Sequence, residues 1–226
     1  MKHTLISLTV AAGVTAACLA DSSAGPMAPS QVVAPRSAAT LKIVALGDSL
    51  TSGHGLPPDQ AYPAVLNGLM READQPFTVI NHGVAGDTTA GGVRRLEAAL
   101  AEEPAILIVA LGANDGLRGT PVAQVRRNLE TILEAAKSRN VPVLLCGMDA
   151  LPINGWQYTI EFHNIYPDLA AKYNVPLVPF MLDGVFLNER MVQEDFVHPN
   201  AAGAAQIARN IWTYLQPMTA ALLSRQ

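Results

Sequence analysis

Five short runs of apolar, strand-forming residues recur along the chain: Lys42–Leu46, Phe77–Asn81, Ala105–Leu111, Val143–Gly147 and Leu177–Pro179. Each lacks the alternation of a half-exposed strand, so each is expected to be buried on both faces between two layers of helix. Helical patterns separate them, over about Ala61–Ala73, Thr89–Ala101, Pro121–Arg139 and Gln157–Tyr173, and a last helix covers about Ala201–Leu215. Pro121 reads as a helix start with Thr120 as its N-cap, and Leu129, Ile132 and Leu133 give that helix its core face. Strand–helix alternation predicts right-handed crossovers and a parallel sheet, hence an α/β fold. In such a sheet the functional residues lie beyond the carboxyl ends of the strands. Three polar, glycine-containing segments do follow strands here: Gly47-Asp-Ser49, Gly83-Val-Ala-Gly-Asp87 and Gly112-Ala-Asn-Asp-Gly116.

The N-terminus departs from this pattern. Lys2 and His3 precede an uncharged, small or apolar stretch from Leu5 to Ala20, too short to span a bilayer comfortably. Residues 1–24 are expected to be a secretory signal, cleaved near Ala20 or Ala24, and the protein to be exported to the periplasm or beyond. The alternative processing makes Cys18 a lipidated lipoprotein cysteine and the protein a membrane-anchored one. Residues 25–40, with Gly25, Pro26, Pro29, Ser30, Pro35 and Ser37, read as a flexible linker, leaving 41–226 as the single folded domain.

Half of the 226 residues are hydrophobic and 15% are charged, enough for one sizeable core. Removing residues 1–24 takes away Lys2 and Asp21 and leaves the net charge at -4, which argues against nucleic acid as a partner. Cys146 has only Cys18 for a partner and sits in an apolar strand, so it is expected to be a buried, inert thiol with no disulfide. No spacing of ligands suits zinc, and neither a metal nor another cofactor is expected.

Ser49 and the segment Asp195-Phe-Val-His198 carry the candidate chemistry. A serine nucleophile needs a base, and the base needs an orienting acid. Ser49 ends a strand in a tight Gly-Asp-Ser turn with Gly53 and Gly55 following, and one loop can hold both Asp195 and His198. A helix cap is the structural alternative for Ser49, and a helix-capping loop that for Asp195 and His198. Among the other histidines, His3 falls in the leader and His163 within a helix; His54 and His82 lie near the site turns without a carboxylate at a useful spacing and read as supporting or solvent-facing groups. Acyl transfer also needs donors for an oxyanion. Gly86, lacking a Cβ, can bring its N–H to a ligand, and Asn114 can point its side-chain amide into the same space. No Gly-x-Ser-x-Gly elbow is present, which disfavours the α/β-hydrolase family.

Gly47-Asp-Ser-Leu50, Gly86, Gly112-Ala-Asn-Asp115 and Asp195-Phe-Val-His198 together resemble the four blocks of the SGNH hydrolases, also called the GDSL esterase/lipase family. The resemblance runs from about Leu41 to Gln216. It is nearest to the bacterial periplasmic thioesterase/arylesterase/lysophospholipase branch, shared further in Asn81–Thr88, Gly112–Gly119 and Val175–Phe180. It implies a flavodoxin-like three-layer α/β/α sandwich with a five-stranded parallel sheet. It implies a carboxylic ester hydrolase acting on short-chain, aryl, thioester or lysophospholipid substrates, with Ser49 as nucleophile, His198 as base and Asp195 as its acid. The oxyanion hole would be the N–H groups of Ser49 and Gly86 with Asn114 Nδ2. In this branch the segment after the fourth strand builds an acyl-binding wall, to which Ile153 and Trp156 would add apolar surface; the match there is partial. A polysaccharide O-deacetylase and an idle surface-binding module are the alternative readings.

Overall fold

The strand-forming runs assemble into one parallel sheet of order β2-β1-β3-β4-β5. A computed structural model describes residues 40–225, so the expected leader, most of the linker and Cys18 lie outside the described residues. The strands are β1 (Leu41–Gly47), β2 (Phe77–Gly83), β3 (Ile106–Ala110), β4 (Val143–Cys146) and β5 (Leu177–Val178). β1 pairs with β2 from Leu41↔Phe77 to Gly47↔Gly83 and with β3 from Ile43↔Ile106 to Gly47↔Ala110. Every residue of β3 is fully buried, as are Ile43 to Leu46 of β1. This is the two-sided burial their continuous apolar runs predict.

Eight α-helices accompany the sheet among the described residues: α1 (Ser49–Ser52), α2 (Tyr62–Glu72), α3 (Thr89–Leu100), α4 (Ala113–Arg118), α5 (Val122–Ser138), α6 (Trp156–His163), α7 (Ile165–Tyr173) and α8 (Ala201–Leu223). α2 packs with α8 in one layer; α3 packs with α5, and α5 with α7, in the other. The result is a three-layer sandwich with the strand order of flavodoxin-like folds. The order in which strands are added reverses between β1 and β3, where ligands bind in such sheets. None of these helices is long and apolar enough to cross a membrane.

Three local expectations are corrected. Thr120 is not the N-cap of α5: Pro121 occupies that position without a side-chain cap, and the Thr120 carbonyl instead accepts from the Tyr158 hydroxyl at 2.9 Å. The segment Gln157–Tyr173 is two helices parted at Asn164. Pro167 has no N–H to donate to the His163 carbonyl, and the ladder breaks there. The last helix runs past Pro217 to Leu223. An interior proline costs about 3 kcal/mol, yet Leu215 and Thr219 are fully buried on its two sides, and Met218, Leu222 and Leu223 pack against the core.

Candidate active site

Ser49 sits at the first turn beyond β1, where Asp48 caps α1 by accepting the Leu50 N–H at 3.0 Å. The Ser49 hydroxyl lies 3.1 Å from His198 Nε2. His198 Nδ1 in turn meets Asp195 Oδ2 at 2.6 Å. The other carboxylate oxygen, Oδ1, accepts the N–H groups of Val197 and His198, both at 2.9 Å. This local turn requires Phe196 in the left-handed region, at φ 58°. Non-glycine residues held there are strained and cluster at functional sites. The hydrogen bond from the His198 ring, helped by those two backbone N–H groups, holds the Asp195 carboxyl well below the usual carboxylate range. An ionised carboxylate on one ring nitrogen and a hydroxyl on the other is the arrangement that lets an imidazole take a proton from a serine.

The segments after β2 and β3 close around this hydroxyl. Gly86 adopts φ 75°, a conformation favouring glycine, and its carbonyl accepts from Arg118 Nη2 at 2.9 Å. The N–H groups of Ser49 and Gly86 meet no protein acceptor among the described residues. Asn114 Nδ2 donates to the Asp87 carbonyl at 2.9 Å and approaches Asp48 Oδ2 at 3.4 Å, a long and weak contact. Asn114 is thus held by one firm hydrogen bond, with its second amide hydrogen only loosely engaged.

Three buried or half-buried groups brace these segments; Asp48 and Asp115 lie within the motif blocks, whereas nothing in the sequence pointed to Arg95. Arg95, on α3, donates Nη2 to the Gly47 carbonyl at 2.6 Å, Nη1 to the His82 carbonyl at 2.6 Å and Nε to Asp87 Oδ2 at 2.5 Å. One guanidinium therefore ties the ends of β1 and β2 to the segment carrying Gly86, using the fixed fork that lysine lacks. Asp48 is fully buried, and that burial pushes its carboxyl up to about 6 against the pull of the Leu50 N–H. Asp115 is also buried, accepts both the N–H and hydroxyl of Thr89, and is likewise pushed up by burial.

His54 lies beside the site, its ring centroid 4.5 Å from that of His198. His82 contributes its carbonyl to Arg95 and keeps its own ring 3.9 Å from Glu102. His163 pairs with Asp149 at 2.7 Å on the rim of a groove of about 390 Å³ that follows β4 and β5. Leu151, Trp156, Ile160, Phe180 and Phe186 line this groove. Trp156 is 72% exposed on it, whereas Ile153, 65% exposed, lies outside its lining. Cys146 is buried at the end of β4, and burial raises its thiol far above the ordinary range. Among the described residues no cluster of three His, Cys, Asp or Glu side chains is placed to hold a metal ion.

Residues 45–206 match the GDSL-like lipase/acylhydrolase family. The chain is 37% identical over 188 residues to esterase TesA of Pseudomonas aeruginosa, spanning 83% of this chain and 94% of that protein. It is 38% identical over 185 residues to thioesterase 1/protease 1/lysophospholipase L1 of Escherichia coli K12, spanning 81% and 87%. The crystal structure of TesA superimposes with a TM-score of 0.75 at 37% identity, covering 78% of this chain and 99% of that one. The chain belongs to the GDSL-like lipase/acylhydrolase family, whose SGNH members are serine hydrolases of carboxylic esters.

Proposed function

We propose that the protein hydrolyses acyl esters and thioesters in two steps, through an acyl-enzyme on Ser49. His198 takes the hydroxyl proton as Ser49 attacks the carbonyl, and Asp195 holds the imidazole tautomer and supports the imidazolium that forms. The oxyanion is received by the N–H groups of Ser49 and Gly86 and by Asn114 Nδ2. His198 returns the proton to the leaving alcohol or thiol, then activates the water that releases the acid. The observation that carries this reading is the continuous contact from Ser49 Oγ through His198 to Asp195, at 3.1 and 2.6 Å.

The groove supports an acyl-chain substrate. Its lining is dominated by Leu151, Trp156, Ile160, Phe180, Leu182 and Phe186, with polar groups only from Asp149, Thr159 and His163. Such a surface suits an acyl chain, whose burial contributes about 0.8 kcal/mol per methylene. A sugar would find few partners there for its hydroxyls. Trp156 is the residue we assign to the acyl wall; Ile153 borders it. Relatives named esterase and thioesterase/lysophospholipase are consistent with this choice.

Residues 1–24 are assigned as an export signal, 25–40 as a linker and 41–226 as the hydrolase domain, placing the mature enzyme outside the cytoplasm. The uncharged stretch from Leu5 to Ala20 supports this. Hydrolysis of p-nitrophenyl esters from acetate to palmitate, with Ser49→Ala as control, tests the assignment. Serine-dependent turnover is the expected result; equal turnover by Ser49→Ala overturns it.

A further inference from the structure

The Ser49 and His198 side chains come from segments 149 positions apart. Ser49 belongs to the turn after β1, and His198 to the loop that leads into α8. Among the described residues, only two hydrogen bonds join residues 49–55 to residues 191–200. One is the Ser49–His198 contact itself. The other is donated by the Gln193 side chain.

Gln193 Nε2 has two hydrogens, and both are committed. One goes to the His54 carbonyl at 2.7 Å, in the turn after Ser49, and one to the Pro199 carbonyl at 2.9 Å, beside His198. The His54 N–H donates to the Ser49 carbonyl at 3.1 Å, and the His54 ring packs on the His198 ring. The amide therefore bridges the backbone next to the nucleophile and the backbone next to the base. Space is left for it: Gly55 adopts φ 75°, and a Cβ there would stand 2.2 Å from Gln193 Oε1. Any other residue at 55 would collide with the amide.

The loop around His198 has closures besides the amide's bond to Pro199. An isolated bridge pairs Val192 with Pro199, the Gln193 N–H donates to the His198 carbonyl at 2.8 Å, and Asn200 Nδ2 donates to the carbonyls of Arg190 and Val192. These closures are independent of the Gln193 side chain, whereas the attachment to the Ser49 turn is not.

We propose that Gln193 is a positioning residue, clipping the loop of His198 to the turn of Ser49 so that base and hydroxyl stay within proton-transfer distance. The inference rests on the reading of Ser49 and His198 as nucleophile and base. It separates two effects that a general structural role would join. Removing both donors should lower the rate of chemistry while sparing substrate binding in the groove beyond β4 and β5, which Gln193 does not line.

The test uses the full chain with Gln193→Met, which keeps the length and removes the donors, and Gln193→Ala. For each, kcat and KM on p-nitrophenyl decanoate, the rate of Ser49 labelling by a p-nitrophenyl phosphonate, and the thermal midpoint are measured. Misplacement of a reacting group by about 1 Å costs about a hundredfold. The expected result for Gln193→Met is a ten- to hundredfold fall in kcat and an equal fall in labelling rate. KM should stay within about twofold and the midpoint within a few degrees of wild type. A folded Gln193→Met with wild-type kcat overturns the inference. So does a rise in KM with kcat unchanged, or failure of both variants to fold, which would make Gln193 a residue of the fold. A folded wild type without ester hydrolysis would overturn the hydrolase reading itself, a result distinct from all of these.

Discussion

The Asp48 carboxyl stands behind Asn114: Oδ2 lies 3.4 Å from the Asn114 amide nitrogen, while Oδ1 accepts the Leu50 N–H at 3.0 Å. It is fully buried, with no cation in hydrogen-bond contact among the described residues. Burial raises it from the ordinary 3.8 to about 6. The consequence for stability has a definite sign. Below pH 4 both folded and unfolded chains hold the proton. Between about pH 4 and 6 the unfolded chain releases it and the folded one keeps it, so stability falls as pH rises through that window. The full loss is on the order of 3 kcal/mol. Asp48→Asn removes the titration and preserves the acceptor for Leu50. Urea unfolding of both proteins from pH 4 to 7 should therefore show wild type losing about this much relative to the variant. A gap that stays constant, or opens the other way, refutes the assignment of a buried, raised carboxyl.

Asn114 is expected to matter for rate rather than for fold. Its amide donates firmly only to the Asp87 carbonyl, on a half-buried side chain, so Asn114→Ala should stay folded. The loss of one oxyanion donor costs about 10² to 10³ in kcat. Steady-state kinetics on a short aryl ester measure it, with KM expected to change little. Wild-type kcat in a folded Asn114→Ala removes this residue from the oxyanion hole.

Most of the fold was legible because its strands are buried on both faces. Ile43 to Leu46 and Ile106 to Ala110 are apolar without interruption, and only a parallel sheet between helix layers buries them so. The residues of the candidate site were legible too, a serine in a tight turn and a carboxylate three residues before an imidazole, and the structure brings them together. What escaped was the work of side chains on backbone carbonyls. Gln193 reaches the carbonyls of His54 and Pro199, and Arg95 those of Gly47 and His82. A carbonyl looks the same in every residue, so such contacts leave no pattern in the sequence. The helix through Pro217 escaped for another reason: burial of Leu215 and Thr219 outweighs a local rule about proline.

Arg95 gives the prediction that follows from this blind spot. Arg95→Ala removes three hydrogen bonds, after which the Gly47 carbonyl keeps the Val84 N–H and the Asp87 carboxylate that of Thr88. A hydrogen bond made by a charged group contributes about 1.5–3 kcal/mol. Arg95→Lys keeps the charge but not the fork, and should recover only part of the loss. Thermal unfolding of the three proteins should rank wild type above Arg95→Lys above Arg95→Ala, with the alanine variant several degrees below wild type. Equal midpoints for lysine and arginine would show that charge alone suffices.

The proposed place of Trp156 in the acyl wall predicts that its loss separates binding of the acyl chain from chemistry. Its ring borders the groove beyond β4 and β5 and is 72% exposed before substrate arrives, so a long acyl chain has apolar surface to bury against it. An acetyl group is too short to use that surface. Trp156→Ala should therefore leave kcat/KM on p-nitrophenyl acetate within about twofold. On decanoate or longer it should lower kcat/KM about tenfold, the effect of roughly 1.4 kcal/mol of lost contact. Because Ser49, His198 and Asp195 do not line that groove, the loss on long esters should grow with chain length until the groove is filled and then level off. A uniform loss from acetate to palmitate would place Trp156 in the support of the reacting groups instead. No loss at any length would move the acyl chain out of this groove.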